Sequence, residues 1–356
     1  MDNSSALMRF LHVLPPEFAH KLTLTALRCG IGPAQNADAD LSLSLFGKKA
    51  RNPLGLSGGA DKAAEALEGW ARMGFGLVEA GTVTLKPRTG NAAPRCWRFS
   101  EQSSIVNWLG MPSGGVGPFI ANLRAFQDKP ERNQLILGAS LASPDGKPEE
   151  LTRLAEECSP LVDYLTLNIS NPNVVYRSDA NSSPETITAD QIKACKSGAG
   201  SKPVLLKLGP TKDPAILRKR VETALAAGAA GFVATNTLSC ADRGLVEGLS
   251  IEWPQQDGKP VGGYSGPHLL SLSCWMVQEI RVLVGENVPI IGVGGVQSGG
   301  DALRLLEAGA NAIQVYTGLI YKGPVLIREI LSALKTYNNL QRPCLTAKAH
   351  GLHKTM

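Results

Sequence analysis

The chain contains no C-x-x-C pair, and its seven cysteines (Cys29, Cys96, Cys158, Cys195, Cys240, Cys274, Cys344) are an odd number. That argues against a disulfide framework and a structural zinc site, and fits a reducing compartment. Histidine is scarce: His12, His20, His268, His350 and His353 make no H-E-x-x-H pattern, and the last two sit in a polar stretch. Neither a metal centre nor a histidine general base is expected. Aromatic residues are only 5%, and the net charge of +5 comes from scattered Lys and Arg rather than a basic run interleaved with aromatics. A nucleic-acid surface is therefore not expected, although a mild attraction to anionic lipid remains. No apolar run reaches the ~20 residues of a membrane span. The N-terminus lacks an apolar signal core followed by a cleavage site. With 43% hydrophobic and 19% charged residues, the 356-residue chain is ordinary for a folded protein with a substantial core.

What is present is a rhythm. Short apolar runs occupy Pro53–Ser57, Gly76–Gly81, Leu135–Ser140, Asp163–Asn168, Pro203–Leu208, Gly231–Asn236, Val288–Val293 and Ala312–Tyr316. Helical periodicity follows each: Ala63–Met73, Val116–Phe126, Glu149–Cys158, Thr188–Lys196, Pro214–Ala227, His268–Val284, Gly299–Ala308 and Pro324–Leu334. Runs apolar on both faces are strands covered on both sides, as in a parallel sheet. Eight such alternations, without a Gly-rich fingerprint after the first strand, predict an α/β (β/α)8 TIM barrel rather than a doubly wound sheet. The barrel is placed at 34–336, between an amphipathic helical segment at 1–33 and a polar, loosely held tail at 337–356. Two stretches, 82–114 and 238–265, exceed ordinary βα loops and fall on the C-terminal face, where they would form lids or substrate walls.

The N-terminal segment reads as two short helices. Leu7–Leu14 is apolar, and a second helix opens at Pro15-Pro16-Glu17 and carries Phe18, Leu22, Leu24 and Leu27 to the stop at Gly30. Such a pair can lie on the barrel or in a membrane interface.

In a barrel, polar residues at strand ends carry the chemistry. Here they are rich in carboxamides: Asn168, Asn171 and Asn173 after the fourth strand, Asn236 with Thr235 and Thr237 after the sixth, and Asn107 in the first insertion. Asn offers donors and acceptors without charge, which suits a planar ligand with alternating C=O and N–H groups. Lys62 and Lys207 also sit at or in strands, and Lys207 is costly to bury unless it meets something electron-rich. The last two strands end in Gly294-Gly295 and Tyr316-Thr317-Gly318, the usual phosphate position of this fold. Phosphate, buried lysine and amide pocket together suggest flavin mononucleotide (FMN) beside a small heterocycle.

These segments resemble the quinone-linked, membrane-associated class of dihydroorotate dehydrogenase. The similarity is carried by LPPEFAHKLTLTALRCGIGP, NPLGLSGGADK, GFGLVEAGTVTLKPRTGNAAPR, NISNPN, ATNT, GGYSGPHL, IIGVGGVQS and QVYTGLIYKGP. The resemblance implies oxidation of dihydroorotate to orotate in pyrimidine biosynthesis, with a quinone as acceptor. It implies FMN held by Ser57, Gly58, Gly59, Ala60, Asp61, Thr82, Ser140, Asn168, Lys207, Thr235, Gly266, Gly295, Tyr316 and Thr317. It implies substrate held by Lys62, Asn107, Met111, Asn168, Asn173, Asn236 and Thr237. A quinone entrance between the N-terminal helices would end at His20, Arg95 and Tyr316, which implies peripheral attachment to the cytoplasmic side of a membrane.

The chain departs from the family at the catalytic base, which is Ser in this class and Cys in the soluble class; here the position holds Asn171. A neutral carboxamide has no useful basicity near pH 7. Strand alternation is expected to turn the neighbouring Ser170 to the other face. Met111-Pro112 replaces the usual Phe-Asn, Ser140 a flavin-contacting Asn, and Val174–Arg177 a longer loop. Two other readings follow: a paralogue acting on a related cyclic amide, and a flavin-binding protein without turnover.

Overall fold

The structure, a computed structural model, describes residues 3–35, 41–170 and 184–350. Eight parallel strands close a barrel: β1 (Leu54–Leu56), β2 (Leu77–Val83), β3 (Ile136–Leu141), β4 (Tyr164–Leu167), β5 (Val204–Leu208), β6 (Gly231–Ala234), β7 (Ile290–Val293) and β8 (Ala312–Val315). Neighbours in the barrel are neighbours in sequence, and β8 closes on β1 through Ile313 beside Leu54. The expected barrel is therefore the observed one. Nearly every strand residue is buried, because side chains pointing inward fill the barrel and those pointing outward meet helices. The inner set is Leu77, Ile136, Tyr164, Leu205, Val233, Ile291, Val293 and Ala312.

A hairpin, Leu43–Leu45 paired with Lys48–Ala50, plugs the N-terminal end, with the Phe46 ring 4.8 Å from that of Tyr164. This element was not expected from the sequence. Its strands are only three residues each, too short for periodicity to register. It leaves the C-terminal mouth as the open end.

The two insertions combine there. Cys96–Phe99 and Ser104–Asn107 come from the first; Leu238–Ser239 and Gly263–Ser265 come from the second. They form one four-stranded antiparallel sheet, with Gly263 opposite Asn107 and Tyr264 opposite Val106. The expected walls are thus a single cross-linked structure.

Helix α1 (Asn3–Val13) and helix α2 (Pro16–Arg28) lie where the sequence placed them, with Pro16 in the first turn of α2. Ala19, Leu24 and Leu27 are buried against the barrel helix Leu67–Met73. Arg98 of the insertion sheet donates to the carbonyls of His12 and Leu14, and clamps the corner between the two helices. The opposite side keeps Leu7, Phe10, Val13, Phe18 and Leu22 exposed.

Three expectations need correction. The first barrel helix begins at Leu67, not Ala63, because Asp61 holds the N–H groups of Glu65 and Ala66 in a preceding turn. The final helix runs Pro324–His350, past the expected end at Leu334. Ser170 does not turn away. β4 ends at Leu167, alternation stops with it, and the Ser170 hydroxyl lies 3.1 Å from the Asn236 amide nitrogen.

Candidate active site

A chain of hydrogen bonds crosses the barrel mouth. The Thr82 and Ser140 hydroxyls lie 2.9 Å apart, and Asn168 Nδ2 donates to Thr82 Oγ1 at 2.9 Å. Asn236 Nδ2 donates to Asn168 Oδ1 and to Ser170 Oγ, both at 3.1 Å, and Ser170 donates to the Lys207 carbonyl at 2.7 Å. Asn236 Oδ1 accepts from the Thr237 N–H at 2.9 Å. Residues from β2, β3, β4, β5 and β6 are thus locked together. Because each link fixes which end of an amide is donor and which acceptor, the mouth is pre-set to match a ligand with a definite pattern of C=O and N–H.

Asn107 approaches from the insertion sheet, where its Nδ2 donates to Gly263 O at 3.3 Å. Met111, buried and with a φ of 58°, follows four residues later. Lys62 donates to Gly59 O at 2.8 Å, and burial pushes its ammonium below the ordinary range. An anion arriving beside Lys62 would restore the charge. Lys207 is buried in β5 and is lowered by the same cause. Asn171 and Asn173, and the changed loop Val174–Arg177, lie outside the described residues.

Of the expected flavin positions, Ser57, Gly58, Gly59 and Ala60 form the turn after β1, and Gly59 N–H donates to Gly81 O at 2.7 Å. Asp61 belongs to that turn only through its backbone. Its fully buried carboxylate faces the helix start, and burial raises it to about 6. Thr235, Gly266, Gly295, Tyr316 and Thr317 all border the same mouth, with Thr317 Oγ1 donating to Ser265 Oγ at 2.8 Å. Gly294 and Gly295 have φ of 117° and 84°. A Cβ at Gly295 would run into the backbone nitrogen of Leu270, so only glycine gives this turn. A turn of bare backbone at the end of β7, with a buried lysine and amides across the mouth, fits a phosphate at one end and a polar ring at the other.

His20, Arg95 and Tyr316 lie where α2 meets the mouth. His20 Nε2 is 2.7 Å from Ala60 O, and Tyr316 Oη is 3.4 Å from Gly59 O. Arg95 forms a two-pronged pair with Glu17, at 2.9 and 2.8 Å. Glu17 and Cys96 belong to this corner, and the sequence had not singled them out for it. Burial and the adjacent Lys62 charge hold the His20 imidazole down at about 4, and burial lifts the Cys96 thiol to about 11.

The His20 shift has a sign. At His20 the folded chain binds fewer protons than the unfolded one between about pH 4 and the ordinary histidine value near 6.5, so this group's contribution to stability falls as pH falls through that window. Asp61, raised to about 6, acts oppositely and masks the loss in the parent. His20→Gln should therefore gain melting temperature relative to the parent as pH is lowered from about 7 to about 5. A difference that stays constant over that range would show that His20 takes up protons freely.

A family model of dihydroorotate dehydrogenase matches residues 40–337. A protein named dihydroorotate dehydrogenase (quinone) from Polaromonas naphthalenivorans is 36% identical over 345 residues, covering 92% of this chain and 96% of the relative. One of the same name from Xanthobacter autotrophicus is 34% identical over 347 residues and covers 94% of each. Among solved structures, the DHODH of Eimeria tenella in complex with ferulenol superposes with a TM-score of 0.79 at 27% identity, covering 92% of each chain. With the barrel, the amide-lined mouth and these relatives in agreement, the chain belongs to the dihydroorotate dehydrogenase family.

Proposed function

We propose that this protein oxidises dihydroorotate to orotate with FMN as resident cofactor and a quinone as final acceptor. The observation that carries the reading is the hydrogen-bonded chain Ser140–Thr82–Asn168–Asn236–Ser170 across the mouth of a barrel of this family. The reaction removes a hydride from C6 of the substrate and a proton from C5. FMN, when bound, supplies the hydride acceptor and passes the electrons on. The chain's own residues orient the substrate: Lys62 pairs with its carboxylate, while Asn107, Asn168, Asn173, Asn236 and Thr237 read its amides and Met111 covers it. Ser57–Ala60, Thr82, Ser140, Lys207, Thr235, Gly266, Gly295, Tyr316 and Thr317 hold the flavin, and Asp61 braces its loop. The proton at C5 falls to position 171, where Asn171 is a poor base.

Quinone reaches the flavin between α1 and α2, past His20, Arg95 and Tyr316. Among the described residues no helix is long and apolar enough to cross a membrane. The exposed apolar residues of α1 and α2, with Arg9, Lys21 and Arg28 beside them, support peripheral attachment to an anionic, cytoplasmic membrane face.

Anaerobic titration of the purified protein tests this reading. Dihydroorotate should bleach the flavin, orotate should perturb its spectrum, and heat-released flavin should chromatograph as FMN. Release of FAD would refute the cofactor. Asn171 favours one second reading, a related cyclic amide as substrate. Flavin that binds but answers neither dihydroorotate nor its product would move that reading ahead.

A further inference from the structure

The turn after β1 is tied down one carbonyl at a time. Gly59 O accepts from Lys62 Nζ at 2.8 Å and from Tyr316 Oη at 3.4 Å. Asp61 O accepts from the Gly81 N–H of β2 at 2.9 Å, and Ala63 O from Asn122 Nδ2 at 2.9 Å. Lys62 belongs to the turn itself, Gly81 and Tyr316 to barrel strands or their ends, and Asn122 to the helix Val116–Gln127 packed outside them. Ala60 O lies between these and is held from outside the barrel. His20 of α2 places its Nε2 2.7 Å away. A carbonyl oxygen can only accept, so Nε2 carries the hydrogen. In the neutral ring, the form that burial favours here, Nδ1 is left as an acceptor. Ala60 is 2% exposed, so its carbonyl loses much if that donor goes. The turn needs such ties, because Gly58 and Gly59 lead into it and Gly59 has a φ of 101°. Fixing the Ala60 oxygen fixes the whole peptide plane shared with Asp61. A second link from α2, Arg28 to Glu65 at 3.4 Å, is exposed and contributes little.

We propose that His20 is a positioning residue for the cofactor: its Nε2–H holds the Ala60 carbonyl and so sets the course of the turn Ser57–Ala60 against the flavin. Helix α2 then completes the flavin site as well as lining the way to it. The imidazole acts through the turn. With its one hydrogen committed to Ala60, it is not the proton donor to an arriving quinone. The flavin part of the inference rests on the function proposed above; the hold on the turn does not.

The test is His20→Leu, which fills the space and removes the donor. The dissociation constant for FMN, read by flavin fluorescence on reconstitution, should rise by about tenfold. His20→Gln, whose amide nitrogen reaches as far as Nε2, should recover most of that loss. A histidine that merely filled space would be replaced by Leu without effect and would gain nothing from Gln. Unchanged FMN affinity in the Leu variant, or an equal loss in Leu and Gln variants, would overturn the proposal. His20→Asn, whose amide stops one bond short, takes the place of a Leu variant that does not fold. Hydrogen exchange in flavin-free protein gives a second reading. The Gly59 N–H, bonded to Gly81 O, and the Gly81 N–H, bonded to Asp61 O, tie the turn to β2. Both should exchange about tenfold faster in the Leu variant, while the amides of Leu24 and Leu27 in α2 keep the parent's rates. Equal acceleration in α2 and the turn would show that His20 only docks the helix, and would overturn the proposal. A parent that binds no flavin would defeat the proposed function, while hydrogen exchange would still decide the hold on the turn.

Discussion

Asn171→Ser is expected to accelerate reduction of the bound flavin by dihydroorotate by about 10²–10⁴-fold, the usual contribution of a positioned general base. The motivation is chemical. Oxidation across a C–C bond releases a proton from C5 as the hydride leaves C6, and a carboxamide cannot take it at neutral pH, whereas a hydroxyl can relay it to water. Orotate affinity should stay close to the parent's, because the product needs no proton transfer and Lys62, Asn107, Asn168 and Asn236 are unaltered. Stopped-flow bleaching without oxygen measures the first quantity and a flavin difference spectrum the second. A parent already as fast as the Ser variant would mean that another group accepts the proton. Ser170 is the hydroxyl to examine next, since it hydrogen-bonds Asn236. Its own proton, however, is directed at the Lys207 carbonyl, 2.7 Å away.

The second large effect concerns the exposed side of α1 and α2. Phe10 and Phe18 are each 56% exposed although they belong to helices whose other faces are docked. Burying what remains exposed on both in a lipid interface is worth about 2–3 kcal/mol. Two added glutamates would cost about 1 kcal/mol each against anionic lipid. Together these predict that Phe10→Glu/Phe18→Glu weakens binding to anionic vesicles by about 10³-fold. Turnover with a vesicle-embedded quinone should fall with it, while flavin reduction by dihydroorotate is unaffected. These positions suit the experiment better than removal of residues 1–33. Deletion would also strip Leu24 and Leu27 from the core, where Leu27 packs so closely that a Cβ on Gly69 would meet its own Cβ at 2.7 Å. Vesicle binding unchanged in the double variant would rule out this face as the membrane contact.

Much of the site was legible because its residues sit at strand ends, and strand ends in a barrel share one face whatever the loops do. Asn168, Lys207, Thr235 and Asn236 could be gathered on that ground alone. Asn107 could not. It reaches the mouth because Ser104–Asn107 pairs with Gly263–Ser265, a contact between segments about 150 residues apart that no local pattern announces. Nor could the direction of the Asp61 side chain, whose carboxylate accepts from the N–H groups of Glu65 and Ala66 ahead of a helix.

The sequence by itself determined the barrel, its strand order and the two N-terminal helices. Apolar runs buried on both faces admit few other packings, and consecutive parallel strands joined by helices close in sequence order. It also determined that the position of the usual base holds an amide, since that is a matter of residue identity. Tertiary structure alone decided where each polar atom points. Ser170 joined the site because β4 stops three residues earlier, and Glu17 because α2 brings it against Arg95. Hydrogen-bond direction and counter-charge depend on distances of a few ångströms between residues far apart in the chain, and those are set only when the barrel closes.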